Sequence, residues 1–329
     1  MSRIALIDEL KPLMEEFEQL LVSYEPSEFS EVNEVMRHIL TSGGKRLRPI
    51  LLLTMGKIIG YTGDHLPLAC AVEMIHTATL LHDDVIDKSE LRRGKPTANA
   101  TYGVPASILF GDYLYTKAFR LLLKYGNDRI SSSLLDVVRL MSEGEIKQMF
   151  RSHAPDTDEK TYFEVIAAKT SCLFMLSCEM AALLTQSADH PYARACHDFG
   201  MHFGNAFQIT DDVMDYTSDS AAMGKTPGDD FAEGKLTLPL IHLLGCAAPE
   251  ERQRILALLE NREADAEATR RRHFDGIKEQ MKRYGSFEYC QSRAGEEIAA
   301  AKAALEVFAD SPCRRFLVTL TEGLANRSA

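Results

Sequence analysis

The chain has 329 residues, 45% of them hydrophobic and 26% charged, with 12 prolines and no tryptophan, a globular composition with material for a sizeable core. Its formal net charge of −11 argues against a nucleic-acid binder, which needs a basic face to neutralise phosphate. The opening MSRIALIDELKPLMEEFEQLL scatters acids among its apolar residues and does not read as a signal peptide. No unbroken apolar run approaches the roughly 18 residues of a membrane span.

Helical periodicity dominates from the start. Ile4, Ile7, Leu10, Met14, Phe17 and Leu21 recur at three and four and form one apolar stripe. Similar stripes predict helices over 30–41, 46–59, 66–87, 105–125, 131–152, 159–185, 191–216, 237–245, 250–261, 265–283 and 287–308, and on toward the C-terminus. Loops are expected at 60–65, 88–104, 153–158 and 217–236, and strand-like alternation is hard to find. There is no 20–50-residue repeat and no low-complexity linker, so one large all-α helical domain over 1–329 is the expected architecture. The cysteines (Cys70, Cys172, Cys178, Cys196, Cys246, Cys290, Cys313) lie mostly in apolar helical text without CxxC or zinc spacing. Buried free thiols in a cytoplasmic protein are expected.

Two acid clusters stand out. Asp83-Asp84-Val85-Ile86-Asp87 ends the apolar helix LACAVEMIHTATLLHDD, and Asp211-Asp212-Val213-Met214-Asp215 ends FGMHFGNAFQITDD. In each, the first and last acids lie four apart and share a helix face. One such cluster is commonly a solvated surface. Two with the same spacing, both preceded by apolar text, point to metal. Like charges at 4 Å and an effective dielectric near 20 repel by about 4 kcal/mol, and divalent cations would offset that. All candidate ligands are oxygen, which selects a hard cation. Few carboxylates per ion, with open positions for a diphosphate, describe Mg²⁺ rather than caged Ca²⁺.

Basic loops accompany the acids. Ser42-Gly43-Gly44-Lys45-Arg46-Leu47-Arg48-Pro49 places three cations in a glycine-led turn, and Leu91-Arg92-Arg93-Gly94-Lys95-Pro96-Thr97 follows the first cluster. Either alone is more often a solvated loop, but guanidinium forks match phosphate oxygens and lysines add point charge. The first loop lacks Walker A spacing. His76 lies seven residues before Asp83, within about 20° of the same helical face. It also completes a Glu73-x-x-His76 pattern, but no second ExxH exists for a di-iron bundle.

Together these residues resemble the trans-isoprenyl diphosphate synthases, or polyprenyl synthetases. The likeness rests on GGKRLRP, HDDVIDKSELRRGKPT, GEIKQ (144–148), AAKT (167–170), FQITDDVMD and GKTPGDDFAEGKLTLP (224–239), in the family's order. The resemblance implies a single helical bundle of the isoprenoid synthase fold with a central cavity. It implies that Asp83, Asp87 and Asp211 ligate about three Mg²⁺ around an allylic prenyl diphosphate, with Asp84 and Asp215 assisting. It further implies that Lys45, Arg48, His76 and Arg93 hold isopentenyl diphosphate, and that Arg92, Lys169, Lys225 and Lys235 grip the allylic diphosphate. Thr170 and Gln208 would line the reacting carbons. Arg327 is only loosely like the family's basic C-terminus. A homodimer, with product passed to membrane enzymes, is expected on the same ground.

Product length turns on Ala78 and Thr79, five and four residues before Asp83 and about 6–7.5 Å back along the helix. In the family, aromatics there floor the pocket and stop growth early. Both residues are small here, and a long-chain product for quinone side chains is expected, with octaprenyl favoured. Geranylgeranyl or farnesyl diphosphate remains the alternative if bulk such as Met141, Phe119 or Phe174 closes the tunnel. A terpene cyclase would carry an NSE or DTE motif where DDVMD stands. A non-catalytic subunit of a heteromeric synthase would typically have lost one of the motifs.

Overall fold

The computed structural model describes residues 5–185, 191–217 and 227–325. It divides into two compact units: Met1–Asp136 with Leu173–Gly200 and Ala304–Thr319, and Val137–Cys172 with Met201–Ala303 and Leu320–Ala329.

The first unit begins with α1 (Lys11–Ser23), α2 (Ser30–Thr41) and α3 (Leu47–Ile58), followed by α4 (Leu66–Ile86). Proline in the first turn of α1 and α4 sets φ where no helical N–H is needed. α3 is buried from Leu47 to Gly56, and α4 is buried from Pro67 to Ile75. A helix apolar on all sides belongs in a core. α4 accordingly packs against α1, α3 and α6 (Val104–Tyr125).

The predicted loop at 88–104 is more structured than the sequence suggests. Leu91–Arg92 pairs antiparallel with Lys95–Pro96, and a short helix α5 (Ala98–Tyr102) follows. Arg93 and Gly94 at the turn both have positive φ, 55° and 74°, the conformation of the tight hairpin turn that favours glycine. Two-residue strands are too short for period-two alternation to register.

α7 (Asp128–Arg151) leads into the second unit, which holds α8 (Glu159–Ile166) and a π-helical turn (Ala167–Ser171). Asp158 caps α8, its carboxylate accepting from the Thr161 amide at 2.8 Å. The run continues as α9 (Cys172–Leu183). Glu159–Leu183 is long and apolar enough to cross a membrane, and 72% of its apolar window is buried inside the protein. It passes that test as a core helix does. Charged residues, Lys169 and Glu179 among them, interrupt its apolar text, so no unbroken apolar run of that length occurs in it.

Next come α10 (Ala193–Thr217), α11 (Asp229–Ala232), α12 (Leu238–Cys246), α13 (Pro249–Glu260), α14 (Ala266–Arg283), α15 (Ser286–Ala304) and α16 (Pro312–Ala325). α11 falls within the predicted loop 217–236. The second unit's core gathers Tyr162, Ile209, Val213, Tyr216, Phe231 and Leu240 among others. All seven cysteines are free, and six are buried; Cys246 is exposed.

α10 lies against the π-helical turn with almost no clearance. A Cβ on Gly204 would fall 2.6 Å from the Ser171 Cα, which is backbone and cannot swing aside. Gly204→Ala is therefore expected to cost about 1–3 kcal/mol by overpacking. Thermal denaturation followed by circular dichroism would show a melting point several degrees lower. An unchanged melting point would mean that the two segments separate freely.

Candidate active site

In the first unit, α4 ends in the first acid cluster. Asp87 closes the helix, its amide donating to the Asp83 carbonyl at 2.8 Å. The two carboxylates are thus a turn apart, and both are half-buried. Adjacent helical residues diverge by about 100°, so Asp84 cannot share their face. It is buried, and Arg92 donates to its Oδ1 through Nε at 2.9 Å and Nη2 at 2.8 Å. Asp84 thus anchors the basic hairpin, and Arg92, expected on an allylic diphosphate, is held by this carboxylate.

The hairpin is tied further by Ser89 N–H to the Asp84 carbonyl (2.9 Å) and by the Thr97 hydroxyl to the Ser89 carbonyl (2.8 Å). Arg93 at its tip donates to the Gly43 carbonyl, so the two basic loops touch. A Cβ on Gly44 would sit 3.0 Å from the Arg93 guanidinium. Among the three cations of the first loop, Arg46 takes left-handed backbone (φ 49°) and turns to Glu73 (2.7 Å), Glu18 (2.8 Å) and the Leu40 carbonyl (2.5 Å). It braces the loop. No local pattern marks these partners, because Glu18 and Glu73 come from other helices. Arg48 is buried with its guanidinium 4.1 Å from the Phe174 ring centroid, a cation–π contact. Lys45 is half-buried on the same loop.

One cavity in this unit is lined by His76, Arg46, Arg92, Arg93 and Lys95, with Glu73 and Asp84. Burial, then the charges of Arg48, Arg93, Arg92 and Arg46, hold His76 well below the usual imidazole value. It is a neutral hydrogen-bonding group in a cationic pocket. Ala78 is fully buried, and Thr79 spends its hydroxyl on the His76 carbonyl at 2.8 Å.

In the second unit, the residues of the second acid cluster differ in exposure. Asp211 is exposed, Asp212 is 4% exposed and Asp215 is 5% exposed. Tyr162 donates to Asp212 Oδ2 at 2.6 Å, and the Gln208 amide donates to Oδ1 at 2.7 Å. Burial, then Asp230, push Asp212 well above the usual carboxylate range against the pull of those hydrogen bonds. Burial, then Asp230 and Asp229, push Asp215 up to about 9. The Asp230 amide reaches Asp215 Oδ2 at 3.4 Å, and Asp229 is ion-paired to Arg271 at 2.9 Å. Asp229 and Asp230 therefore belong to this cluster. The paired acids of PGDDFAEGK were the visible signal, but only folding brings them beside Asp215.

Lys169 sits in the π-helical turn with Glu145 at 2.5 Å and Gln148 at 2.7 Å, both from the GEIKQ segment of α7. A Cβ on Gly144 would lie 2.9 Å from the Lys169 amide nitrogen, so only glycine permits this approach. Thr170 donates to Gln208 Oε1 at 2.8 Å. Lys235 pairs with Glu233 at 2.6 Å. Lys225 and Arg327 lie outside the described residues.

The donor chemistry fits a hard divalent cation. Asp83 and Asp87 offer oxygens from one helix face, as a hard cation prefers. Among the described residues no three His, Cys, Asp or Glu side chains converge to cage an ion. Any ion held by Asp83 and Asp87 therefore completes its shell with other oxygens, as Mg²⁺ does with water and phosphate.

The polyprenyl synthetase family model matches residues 29–273. An octaprenyl diphosphate synthase of Escherichia coli is 38% identical over 295 residues, 89% of each chain. An all-trans-nonaprenyl-diphosphate synthase (geranyl-diphosphate specific) of Rhodobacter capsulatus is 40% identical over 95% of each. A solved polyprenyl synthase of Caulobacter crescentus, complexed with calcium and isoprenyl diphosphate, superposes with a TM-score of 0.89 at 33% identity over 100% of both chains. The protein belongs to the polyprenyl synthetase family.

The neutral His76 has a pH consequence. Its folded pKa is depressed, so below about 6.5 the unfolded chain binds a proton that the folded chain does not. Stability contributed in this way is present above that value and is lost as pH falls. Melting points of the wild type should drop more steeply from pH 7 to 5 than those of His76→Gln. Parallel curves would show that His76 titrates alike in both states.

Proposed function

We propose that this protein is an all-trans, long-chain polyprenyl diphosphate synthase, a prenyltransferase that condenses isopentenyl diphosphate with an allylic prenyl diphosphate. The octaprenyl class is favoured, and the chain works as a single synthase domain. The observation carrying the long-chain reading lies on α4. One turn back from Asp83 stand Ala78 and Thr79, too small to floor a pocket. The octaprenyl and nonaprenyl names of the relatives point the same way.

Asp83, Asp87 and Asp211, with Asp215 assisting, are read as the ligands of Mg²⁺ in this reaction. When bound, the ions neutralise the charge that develops on the departing diphosphate. Lys169, Lys235 and Lys225 add positive charge to the same leaving group, and Arg92 orients it from its seat on Asp84. Lys45, Arg48, Arg93 and neutral His76 hold isopentenyl diphosphate by hydrogen bonds and charge. Thr170 and Gln208 present oxygen to the carbon that becomes cationic. No nucleophile is required, because positioning and charge stabilisation carry the step.

The protein is further read as cytoplasmic and homodimeric, passing its product to membrane enzymes. Ile108 and Leu109 on α6, the latter 66% exposed, supply apolar surface of the kind that two copies bury.

Incorporation of radiolabelled isopentenyl diphosphate into farnesyl diphosphate tests the activity. Chelating divalent ions should abolish it and added Mg²⁺ restore it. Asp83→Ala should lower turnover by at least about a thousandfold, the scale on which key electrostatic groups act, with far-UV helicity near normal. Turnover unaffected by the chelator, or helicity lost in Asp83→Ala, would contradict the assigned role.

Product chromatography tests the tunnel. Ala78→Phe should shift the main product to a chain shorter by several isoprene units, and an unchanged length would place the tail elsewhere.

A further inference from the structure

Tyr162 belongs to none of the motifs that carry the family likeness, yet it closes a chain of four side chains. It is 4% exposed on α8, within the apolar cluster that also holds Ile209, Val213 and Tyr216. Its hydroxyl donates to Asp212 Oδ2 at 2.6 Å. Asp212 Oδ1 accepts from Gln208 Nε2 at 2.7 Å, and Gln208 Oε1 accepts from the Thr170 hydroxyl at 2.8 Å. Tyr162 and Thr170 stand eight apart in one helical run, and Gln208 and Asp212 stand one turn apart on α10. The four groups therefore bridge two segments twice.

The order of donors in this chain is not free. With the Tyr162 hydroxyl on Oδ2, Asp212 Oδ1 is the accepting oxygen in this chain, so the Gln208 amide turns its NH₂ toward it. That leaves the amide oxygen toward Thr170, which must spend its single proton there. The lone pairs of Thr170 Oγ1 are left for another partner. The same orientation holds if Oδ2 carries a proton, since Oδ1 still accepts. A buried amide without such a constraint could present either end.

The geometry points to Tyr162 as a positioning residue for prenyl transfer, which holds Asp212 and through it Gln208, so that Thr170 presents oxygen rather than hydrogen to the developing carbocation. This rests on the synthase reading given above. Without the Tyr162 hydroxyl, Oδ2 loses that donor, the carboxyl group can turn, and Gln208 can offer NH₂ to Thr170 instead. The hydroxyl hydrogen of Thr170 would then face positive charge. Ground-state binding of either diphosphate does not involve this group, so the effect falls on the chemical step.

The test is a double-mutant cycle on the single-turnover rate of the first condensation, using isopentenyl and farnesyl diphosphates with Mg²⁺. Tyr162→Phe is expected to slow that step by about tenfold, a barrier change of about 1.4 kcal/mol, with both substrate affinities within about twofold of wild type. If Tyr162 acts through Thr170, then Tyr162→Phe combined with Thr170→Val is no slower than Thr170→Val alone. A merely structural tyrosine would instead multiply its loss with that of Thr170→Val. An undiminished rate in Tyr162→Phe, or multiplied losses in the pair, overturns the proposal. Should Tyr162→Phe not fold, Asp212→Asn takes its place in the same cycle, since its amide N–H competes for the Gln208 oxygen, and the same two outcomes decide. A wild type that fails to condense the substrates overturns the synthase reading and this inference together. Normal wild-type turnover with multiplied variant losses overturns the inference alone.

Discussion

Carboxylates crowded at the ends of apolar helices are the constraint on which this molecule depends. A helix turns about 100° per residue, so two adjacent aspartates cannot face the same way. In the first cluster the middle acid, Asp84, turns inward and is neutralised by Arg92. In the second, Asp212 turns inward and is satisfied by Tyr162 and Gln208. Each DD pair thus divides its labour: one acid is left nearer solvent, and the other ties the helix to a neighbouring segment.

The two anchors use different chemistry for a physical reason. Asp84 is buried but meets the half-buried guanidinium of a hairpin arginine, whose two charge-assisted hydrogen bonds offset the desolvation of the pair. Asp212 lies in the aromatic and aliphatic core of the second unit, where a bare ion pair would lose more on desolvation than it regains. Two neutral donors serve it instead. Burial, then the charge of Asp230, raises Asp212 well above ordinary carboxylates, and burial, then Asp230 and Asp229, raises Asp215 in the same way.

The cations show the same principle of fixed partners. Arg46 is braced by Glu18 and Glu73, Arg48 by the Phe174 ring, Lys169 by Glu145 and Gln148, and Lys235 by Glu233. Long flexible side chains held in this way lose little further entropy when an anion arrives. The left-handed backbone at Arg46 and Arg93 is the local strain that aims these loops.

Much of this was legible in the residues themselves. Apolar stripes at three and four located the helices, and the doubled DDxxD with its basic loops located the chemistry, because periodicity and spacing are properties of local chain geometry. The short hairpin at 91–96 and the helix at 229–232 escaped, being too brief to leave a periodic signal. Which acid faces in, which cation braces a loop rather than waiting for substrate, and that Asp229, Asp230 and Tyr162 join the second cluster were decided only by tertiary structure. Those facts rest on contacts between residues tens of positions apart, such as Arg46 with Glu18 or Tyr162 with Asp212, and no local pattern encodes a partner that arrives from another helix.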